Sequence, residues 1–442
     1  MYRIIIFSVL IIFTTRAVVA AEYEADTRTF AASSVQDAGV LEATLYTINE
    51  TVTVEGYMNH YKVDSEFGQF NAVGNLGLKT LLREIDAIAE LKQRSATDAG
   101  SDAVVGVITD TGESLAAVAT NPVGTVKGLS SGASRFFKRT VRKTKDLSDK
   151  ASEALADDES KDSDADDSTD EGGDDIDVQE TSKKLAESYL GVGKAHRALA
   201  RELKVDPYSQ NEVLQAELNR VAKISGSTRK VTKILIPIPT FLNTAKSVSN
   251  MVWNLSPLDL LIQNEETLES MGFKNKQIKA FFENKFYSPT QRTILVSSLK
   301  LLDKVVGREL ILQIANAAES RFEGEFIVRS ALYAQLYHEN IAPLANILRI
   351  PDGMLPVLIA ESGEALVFAP LDYLLWTEEA AGAVKRLNAL LKQQGITGDS
   401  HLWIEGQVSE LAESSLQALN WGVSENGFQK LQEKIKAQES SQ

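Results

Sequence analysis

The spacing of apolar residues changes several times along the chain, and the first stretch is typical of strands followed by one helix. Residues 41–73 alternate apolar and polar positions and are rich in β-branched and aromatic side chains, which favours short antiparallel strands. The next apolar residues recur at helical spacing: Leu78, Leu81, Leu82, Ile85, Ile88, Ala89 and Leu91. We therefore predict a small β+α module over residues 21–95, in which residues 22–40 are polar and loosely ordered.

Helical spacing dominates the middle of the chain, from residue 181 to residue 350. Ser288, Pro289 and Gln291 stand where an N-cap, a first-turn proline and a capping-box glutamine belong, so a helix is predicted to begin there. A long stretch of periodic apolar residues, 294–314, follows within this region. Such stretches fit packed antiparallel helices, and we predict a central helical bundle.

A third pattern covers residues 351–430, where short apolar runs alternate with helical stretches. The two runs on either side of Gly363 predict a β-hairpin. The remaining expected elements are a helix over residues 377–393, a strand over 401–405, a helix over 409–419 and a strand over 421–423. This alternation predicts parallel strands with right-handed crossovers, and a polar tail over residues 431–442 follows.

The predicted fold class is an α+β protein of several modules. It has a small N-terminal β+α module, a central helical bundle and a C-terminal α/β module with a partly parallel sheet. At 442 residues the chain is long enough for each part to bury a core. It contains no cysteine, so we expect stability to come from packing and expect no thiolate metal site. No cofactor and no metal are predicted.

The N-terminus has the layout of a secretory signal peptide. Arg3 precedes an apolar stretch over residues 4–13, and the small residues 17–20 are typical of a cleavage site, which we expect after Ala20. The apolar stretch is too short to span a bilayer as a helix. Residue 21 is Ala rather than Cys, so no lipid anchor is expected. The chain is therefore predicted to be exported to the periplasm or envelope, with residues 1–20 as its signal peptide.

Most of the negative charge of the chain lies in one segment. The formal net charge is −15, and residues 157–177 contain twelve acidic residues and one lysine. Because such a segment is too polar and too highly charged to support a core, we predict an acidic disordered linker over residues 157–180. No basic face is evident across any predicted module, so nucleic acid is not expected as a partner.

Residues 96–156 combine a Gly- and Ser-rich stretch with a predicted basic amphipathic helix. The residues of this helix expected to contact a membrane are Phe136, Phe137, Lys138, Arg139, Arg142 and Lys143. A basic helix with aromatic residues can lie on an anionic bilayer with its apolar face down. The alternative is that it docks onto the protein's own core, with the neighbouring acidic segment offsetting its charge.

Four residues of the C-terminal module are candidates for a binding or catalytic site: Asp372, Thr377, Gly406 and Ser409. If the strands that precede them are parallel, these residues meet at one end of the sheet, where open α/β folds bind ligands. Gly406 and Ser409 would also place backbone N–H groups at a helix start, which favours an anion. The alternative is that Thr377 and Ser409 are only N-caps and that Asp372 is a loop carboxylate.

Three strings of the sequence carry a resemblance to a known group of proteins. They are residues 109–115 (TDTGESL) with Asn121-Pro122 after them, residues 200–208 (ARELKVDPY) and residues 402–406 (LWIEG). Together they resemble a family of uncharacterised exported proteins from Gram-negative bacteria. The resemblance implies a periplasmic or envelope setting, but it implies no activity and no functional residues, and the acidic segment is not part of it.

The leading functional hypothesis from the sequence is a non-enzymatic binding or scaffold factor of the envelope. Its partner is expected to be another envelope protein or, through the basic helix, an anionic membrane surface. The alternative is a hydrolase or small-anion-binding enzyme in which Asp372 is an acid, base or metal ligand and the helix start at Ser409 binds the anion. An enzyme should have a concave pocket at Asp372, whereas a scaffold should expose apolar surface.

Overall fold

The computed structural model describes residues 23–99, 192–224, 246–349, 353 and 355–440. The predicted signal peptide and the acidic linker lie outside the described residues. So do the basic helix and its candidate membrane contacts, Phe136, Phe137, Lys138, Arg139, Arg142 and Lys143. Membrane contact by these side chains therefore stays a prediction from the sequence.

The N-terminal sheet is antiparallel, as the alternating pattern predicts. Its strands are β1 (Thr27–Ala31), β2 (Glu42–Ala43), β3 (Tyr46–Ile48), β4 (Thr51–Glu55), β5 (Met58–Ser65) and β6 (Gly68–Val73), and the helices α1 (Ala32–Val35) and α2 (Ala38–Leu41) connect β1 to β2. The strand order is β1-β4-β5-β3-β2, and β6 pairs with β5. Gly56 and Tyr57 form the turn between β4 and β5 with φ values of 58° and 65°, which is typical of a type I′ hairpin.

The prediction that residues 22–40 are loosely ordered is wrong for the part that the structure describes. β1 pairs with β4 in antiparallel register, with Phe30 opposite Val52. Most side chains of β1 are exposed, so the strand has no apolar alternation by which the sequence would reveal it. Backbone pairing holds it in place, together with a contact between Phe30 and Tyr373 whose ring centroids are 4.9 Å apart.

The helix α3 (Asn75–Ala99) connects the N-terminal sheet to the helical region. Leu78, Leu82 and Ile85 of the predicted apolar stripe pack on the sheet. Further along, Ile88 and Leu91 pack against two helices, α4 (Lys194–Leu203) and α5 (Glu212–Ile224). Ion pairs at the same boundary join Lys92 to Glu217 at 3.2 Å and Arg94 to Glu202 at 3.0 Å. One helix therefore shares its apolar stripe between two cores.

Among the described residues of the helical region there are six further helices. They are α6 (Lys246–Asn254), α7 (Pro257–Ser270), α8 (Asn275–Glu283), α9 (Pro289–Leu301), α10 (Glu309–Asn316) and α11 (Arg321–Asn340). The capping box at the start of α9 is confirmed, because Ser288 Oγ accepts from Gln291 N at 3.2 Å and Gln291 Oε1 accepts from Ser288 N at 2.9 Å. α11 is buried along most of its length, since it lies between α9 and the C-terminal sheet.

The apolar stretch 294–314 covers parts of two helices, since α9 ends at Leu301 and α10 begins at Glu309. One expectation for this region needs correction. Residues 344–349, expected within the helical region, form the strand β7 (Leu344–Arg349). α11 ends three residues before Pro343, and the residues after this proline gain hydrogen-bond partners from a neighbouring strand instead.

The C-terminal sheet confirms the predicted hairpin and the partly parallel arrangement. Its other strands are β8 (Pro356–Ala360), β9 (Ala365–Ala369), β11 (Ser400–Ile404) and β13 (Trp421–Ser424). The order is β13-β11-β9-β8-β7, with β9, β11 and β13 parallel and β7, β8 and β9 antiparallel. The helices α12 (Glu378–Gln393) and α13 (Glu410–Ala418) are the crossovers. The predicted fold class therefore agrees with the structure.

The end of the described chain is a helix rather than the polar tail expected over residues 431–442. α14 (Gly427–Ser440) packs on α11 and β11. Leu431 is buried, and Phe428 stacks on Tyr333 with ring centroids 4.7 Å apart. Only a few apolar residues, spaced along a polar sequence, anchor this helix. Because its apolar residues are so few, the sequence pattern predicts a polar tail instead of a helix.

The largest hydrophobic core joins the three regions. It contains the C-terminal sheet and most of the helical region, and Val54, Tyr57 and Met58 reach into it from the β4–β5 hairpin. Next to this hairpin, β10 (Tyr373–Leu374) and β12 (Gln407–Val408) form a small parallel pair. Within the described ranges, no helix is both long enough and apolar enough to cross a membrane.

Candidate functional site

The candidate residues Asp372 and Gly406 lie side by side, beyond the carboxyl ends of β9 and β11. The Gly406 N–H donates to the carbonyl oxygen of Leu371 at 2.8 Å, and the Gln407 N–H donates to that of Asp372 at 2.9 Å. A Cβ atom at position 406 would lie 1.8 Å from the Asp372 carbonyl oxygen. Glycine is therefore required at position 406 for the backbone to approach so closely.

The Asp372 carboxylate binds the backbone of the N-terminal module. Its Oδ2 accepts from Asn59 N at 2.8 Å, and its Oδ1 accepts from Asn75 N, at the start of α3, at 3.0 Å. The residue is 3% exposed. Burial raises the pKa of Asp372, while the hydrogen bonds from Asn75 and Asn59 act in the opposite direction. A carboxylate of the C-terminal module thus caps a helix of the N-terminal module.

Thr377 and Ser409 are the N-caps of α12 and α13. Their hydroxyl oxygens accept from Ala380 N at 3.1 Å and from Ala412 N at 3.0 Å. Each hydroxyl also contacts the N-terminal module: Thr377 Oγ1 is 2.5 Å from the Tyr57 hydroxyl, and Ser409 Oγ donates to Glu24. The Glu24 carboxylate accepts a second hydrogen bond, from Trp376 N at 2.6 Å.

We call this group the Asp372 junction; it consists of Glu24, Tyr57, Asn59, Asn75, Asp372, Thr377, Gly406 and Ser409. The structure brings all four candidates from the sequence together, but it directs their polar atoms to the protein's own backbone and side chains. Thr377 and Ser409 are N-caps, as the alternative from the sequence predicts. Asp372 is a buried cap of α3 rather than an exposed loop carboxylate. Ligand binding by these residues stays a prediction.

A second polar group lies in an open cleft of about 500 Å³ formed by the C-terminal sheet and α14. We call it the C-terminal cleft. Its lining residues are Glu364, His401, Trp403, Ser424, Lys430, Glu433, Lys434 and Ala437. None of them is among the candidates from the sequence.

Strand pairing brings His401 and Ser424 together in this cleft. In the parallel pair of β11 and β13, His401 lies opposite Gly422 and Trp403 lies opposite Ser424, so alternate residues of both strands share one face. His401 Nε2 is 2.9 Å from Ser424 Oγ. A Cβ atom at position 422 would lie 2.5 Å from His401 Nδ1. The missing side chain of Gly422 is what allows the imidazole to lie across β13 and reach Ser424.

Glu364 reaches the cleft from the β8–β9 hairpin. Its Oε1 is 4.0 Å from His401 Nδ1, on the side of the ring away from Ser424. The hairpin turn itself is held by a close backbone contact, because a Cβ atom at Gly398 would lie 2.2 Å from the carbonyl oxygen of Gly363. The three side chains therefore come from three neighbouring parallel strands. Glu364 directly precedes β9, His401 lies in β11 and Ser424 lies in β13.

The surroundings of His401 favour its neutral form, chiefly because the ring is partly buried. Burial lowers the pKa of His401, Glu364 acts in the opposite direction, and Lys430 and Lys434 add to the lowering. The imidazole can therefore accept a proton. Lys434 Nζ lies 5.8 Å from the centroid of the Trp403 ring, so the cleft also has a cation beside an aromatic side chain.

Sequence reasoning missed this cleft although part of its signal is local. His401 and Trp403 alternate along one predicted strand, and Ser424 directly follows the next predicted strand, two residues after Gly422. Alternation shows only that each pair shares a face. It does not show which face, how the strands are aligned, or that α14 borders them. In the part of the chain that the structure describes, no three His, Asp or Glu side chains are grouped as a metal site.

Comparison of the chain with protein-family models, with curated proteins and with solved structures gives no match to any of them. The ligand site proposed for this chain therefore rests on its own residues.

Proposed function

We propose that the chain is an exported binding protein of the cell envelope whose ligand site is the C-terminal cleft. The signal-peptide pattern of residues 1–20 and the resemblance to exported proteins of Gram-negative bacteria support the location. The binding site is inferred from the open cleft of about 500 Å³, which is lined by charged and polar side chains and by Trp403. Ligand pockets commonly have this size and combine apolar walls with a few polar groups.

The lining favours a small ligand with an apolar body and an anionic group. Lys430 and Lys434 are one helical turn apart on α14, so their ammonium groups lie on the same side of the helix. Trp403 and Ala437 supply apolar surface. The lining also has two carboxylates: Glu364 lies near His401 and disfavours an anion there, and Glu433 on α14 accepts a hydrogen bond from Gln429 Nε2 at 2.9 Å. We therefore expect the anionic group to bind beside α14.

Naphthalene-2-sulfonate is a suitable probe because it combines a ring system with a permanent negative charge. Binding to the full mature chain can be followed by saturation-transfer NMR. We expect Lys430→Ala combined with Lys434→Ala to weaken binding about tenfold, which corresponds to about 1.4 kcal/mol. Lys392→Ala, an exposed lysine of α12 outside the cleft, is the matched control. Equal binding by the double variant and the control would rule out this site.

Contact with an anionic membrane is a separate part of the proposal. It is supported by the basic and aromatic pattern of residues 136–143. The test is co-sedimentation of the full mature chain with vesicles of phosphatidylglycerol and phosphatidylcholine at low salt. We expect binding that is lost when Lys138, Arg139, Arg142 and Lys143 are replaced by Gln. Absence of binding by the unmodified chain would contradict it.

The hydrolase alternative from the sequence placed the catalytic site at Asp372, but the structure favours the pair His401 and Ser424. Asp372 is bound on both carboxylate oxygens by backbone N–H groups, whereas His401 and Ser424 are within hydrogen-bond distance of each other at the edge of an open cleft. We place any catalytic chemistry in the cleft for this reason.

A further inference from the structure

We infer that the C-terminal cleft is an acyl-transfer site, with Ser424 as nucleophile, His401 as general base and Glu364 as the carboxylate that orients His401. The inference rests on the proposed function, because it assigns chemistry to the same ligand site. The substrate class is a small carboxylic ester that carries an anionic group for Lys430 and Lys434.

The contact between nucleophile and base has the distance that proton transfer requires. Ser424 Oγ and His401 Nε2 are 2.9 Å apart, within the range of 2.6–3.2 Å that general-base catalysis uses. Burial lowers the pKa of His401 and the two lysines of α14 add to the lowering, while Glu364 acts in the opposite direction, and the net lowering favours the unprotonated base. A neutral imidazole is the form that accepts the hydroxyl proton.

Glu364 is placed to hold the second ring nitrogen. Its carboxylate is 4.0 Å from His401 Nδ1, longer than a hydrogen bond, and its side chain is 31% exposed at the hairpin. Contacts of this kind are often long in unliganded enzymes and shorten in the reacting complex. A carboxylate on this side fixes the tautomer with the proton on Nδ1 and stabilises the imidazolium that forms.

Gly422 is the positioning residue of the group. The imidazole occupies the space above its Cα atom, where a Cβ would lie 2.5 Å from Nδ1 and 2.8 Å from Cε1. A methyl group at this position has to displace the ring from Ser424.

The reaction is balanced without a cofactor. Ser424 Oγ attacks the ester carbonyl carbon while its proton moves to His401 Nε2, and a new carbon–oxygen bond forms. The bond to the alcohol oxygen then breaks, and His401 gives its proton to the departing alcohol. Water attacks the acyl-serine, passes a proton to His401 and releases the carboxylic acid, after which Ser424 regains its proton. The net change is ester plus water to acid plus alcohol.

The first test is covalent labelling of the full mature chain with an alkyl fluorophosphonate, mapped by mass spectrometry of peptides. The serine oxygen displaces fluoride from phosphorus, so the label reports an activated serine. We expect labelling at Ser424, complete loss of that label in Ser424→Ala, and a rate at least about 100-fold lower in His401→Gln. Ser414→Ala removes an exposed serine hydroxyl of α13 outside the cleft and is expected to label like the unmodified chain.

Two further variants separate catalysis from structure. Gly422→Ala is expected to reduce the labelling rate as much as His401→Gln while the circular dichroism spectrum is unchanged. In the unmodified chain the rate should rise with pH, with its midpoint below the ordinary histidine pKa of 6.5, because the pKa of His401 is lowered. Glu364→Gln should lower the plateau. A merely structural contact would produce no such pH profile.

The outcomes also separate this inference from the proposed binding function. If naphthalene-2-sulfonate binds in the cleft but no serine is labelled, or if labelling is equal in His401→Gln, acyl transfer is wrong and the binding site remains. If Ser424 is labelled but the lysine variants bind the probe normally, the anionic ligand class is wrong. Hydrolysis of 4-acetoxybenzenesulfonate, an ester with an anionic group, by the unmodified chain and its loss in Ser424→Ala would complete the support.

Discussion

The Asp372 junction and the C-terminal cleft are both built from polar side chains of the C-terminal module, yet they differ in what those side chains contact. In the junction, Asp372, Thr377 and Ser409 are at most 3% exposed and bind backbone N–H groups or neighbouring polar side chains. In the cleft, His401 and Glu364 are 29% and 31% exposed, and His401 contacts another side chain. Buried polar groups with internal partners support the fold, whereas a partly exposed pair of reactive groups remains accessible to a ligand.

The comparison also shows why a shifted pKa does not by itself identify a site. Burial is the largest cause of the shift for both Asp372 and His401. Asp372 lies between two backbone amides that no reaction would use, while His401 lies against a hydroxyl group that can act as a nucleophile. The chemistry of the partner, rather than the pKa, distinguishes the two regions.

The largest effect is expected from removing the carboxylate at the centre of the junction. Asp372→Ala leaves the N–H groups of Asn59 and Asn75 buried without an acceptor, so we expect the free energy of unfolding to fall by about 4 kcal/mol. Urea denaturation measures it. Asp399→Ala removes an exposed carboxylate of the same module and is the control. A loss below about 1 kcal/mol would mean that the junction does not hold the modules together.

A buried carboxylate away from both regions sharpens the comparison through its pH dependence. Burial raises the pKa of Glu84 to about 7 from 4.5, while Ser209 and Asn211 donate to it and act in the opposite direction. The folded state therefore prefers the protonated form, and this preference stabilises it fully below pH 4.5 and is lost as the pH rises to about 7.

Glu84→Gln should remove this dependence. Between pH 4.5 and pH 8 the unmodified chain should lose stability that the variant keeps. The difference in free energy of unfolding between the two chains should therefore shift in favour of the variant by up to about 3 kcal/mol, at about 1.4 kcal/mol per pKa unit. The measurement is urea denaturation of both chains at several pH values between these limits. Parallel pH curves for the two chains would show that the pKa of Glu84 is the same in the folded and the unfolded state.

The N-terminal edge of the junction should contribute less. Glu24 accepts from Trp376 N and from Ser409 Oγ, and its side chain is 20% exposed. Glu24→Ala should lower the free energy of unfolding by about 1–2 kcal/mol, because these partners regain some water contacts. Thermal denaturation measures the effect against Asp26→Ala, an exposed carboxylate two residues away. Equal melting temperatures would show that residues 23–26 do not stabilise the junction.

The smallest effect on stability is expected in the cleft. Ser424→Ala removes one partly buried hydrogen bond to His401, so the free energy of unfolding should change by less than about 1 kcal/mol. The same variant is expected to abolish covalent labelling. A large loss of stability would place Ser424 with the junction residues and remove the contrast between the two regions.

Much of the fold could be predicted from local signals. The hairpin at Gly363, the capping box at Ser288 and the parallel strands of the C-terminal module all follow from turn residues, caps and spacing. β1 and β7 could not be predicted in this way, because the exposed side chains of β1 show no alternation and β7 follows a long helix. α14 was hidden for a similar reason, since it is anchored by only a few apolar residues.

The sequence by itself determined which residues begin and end helices, where chains turn and which side chains share a face, because those interactions act over a few residues. It also brought Asp372 and Gly406 to one end of the sheet through the order of the strands. Only the tertiary structure decided what they bind. Asn59 and Asp372 are 313 positions apart, and the alignment of β11 with β13 brings His401 to Ser424 across 23. Such contacts depend on how the helices and strands pack together and on strand register, and local sequence patterns do not specify either.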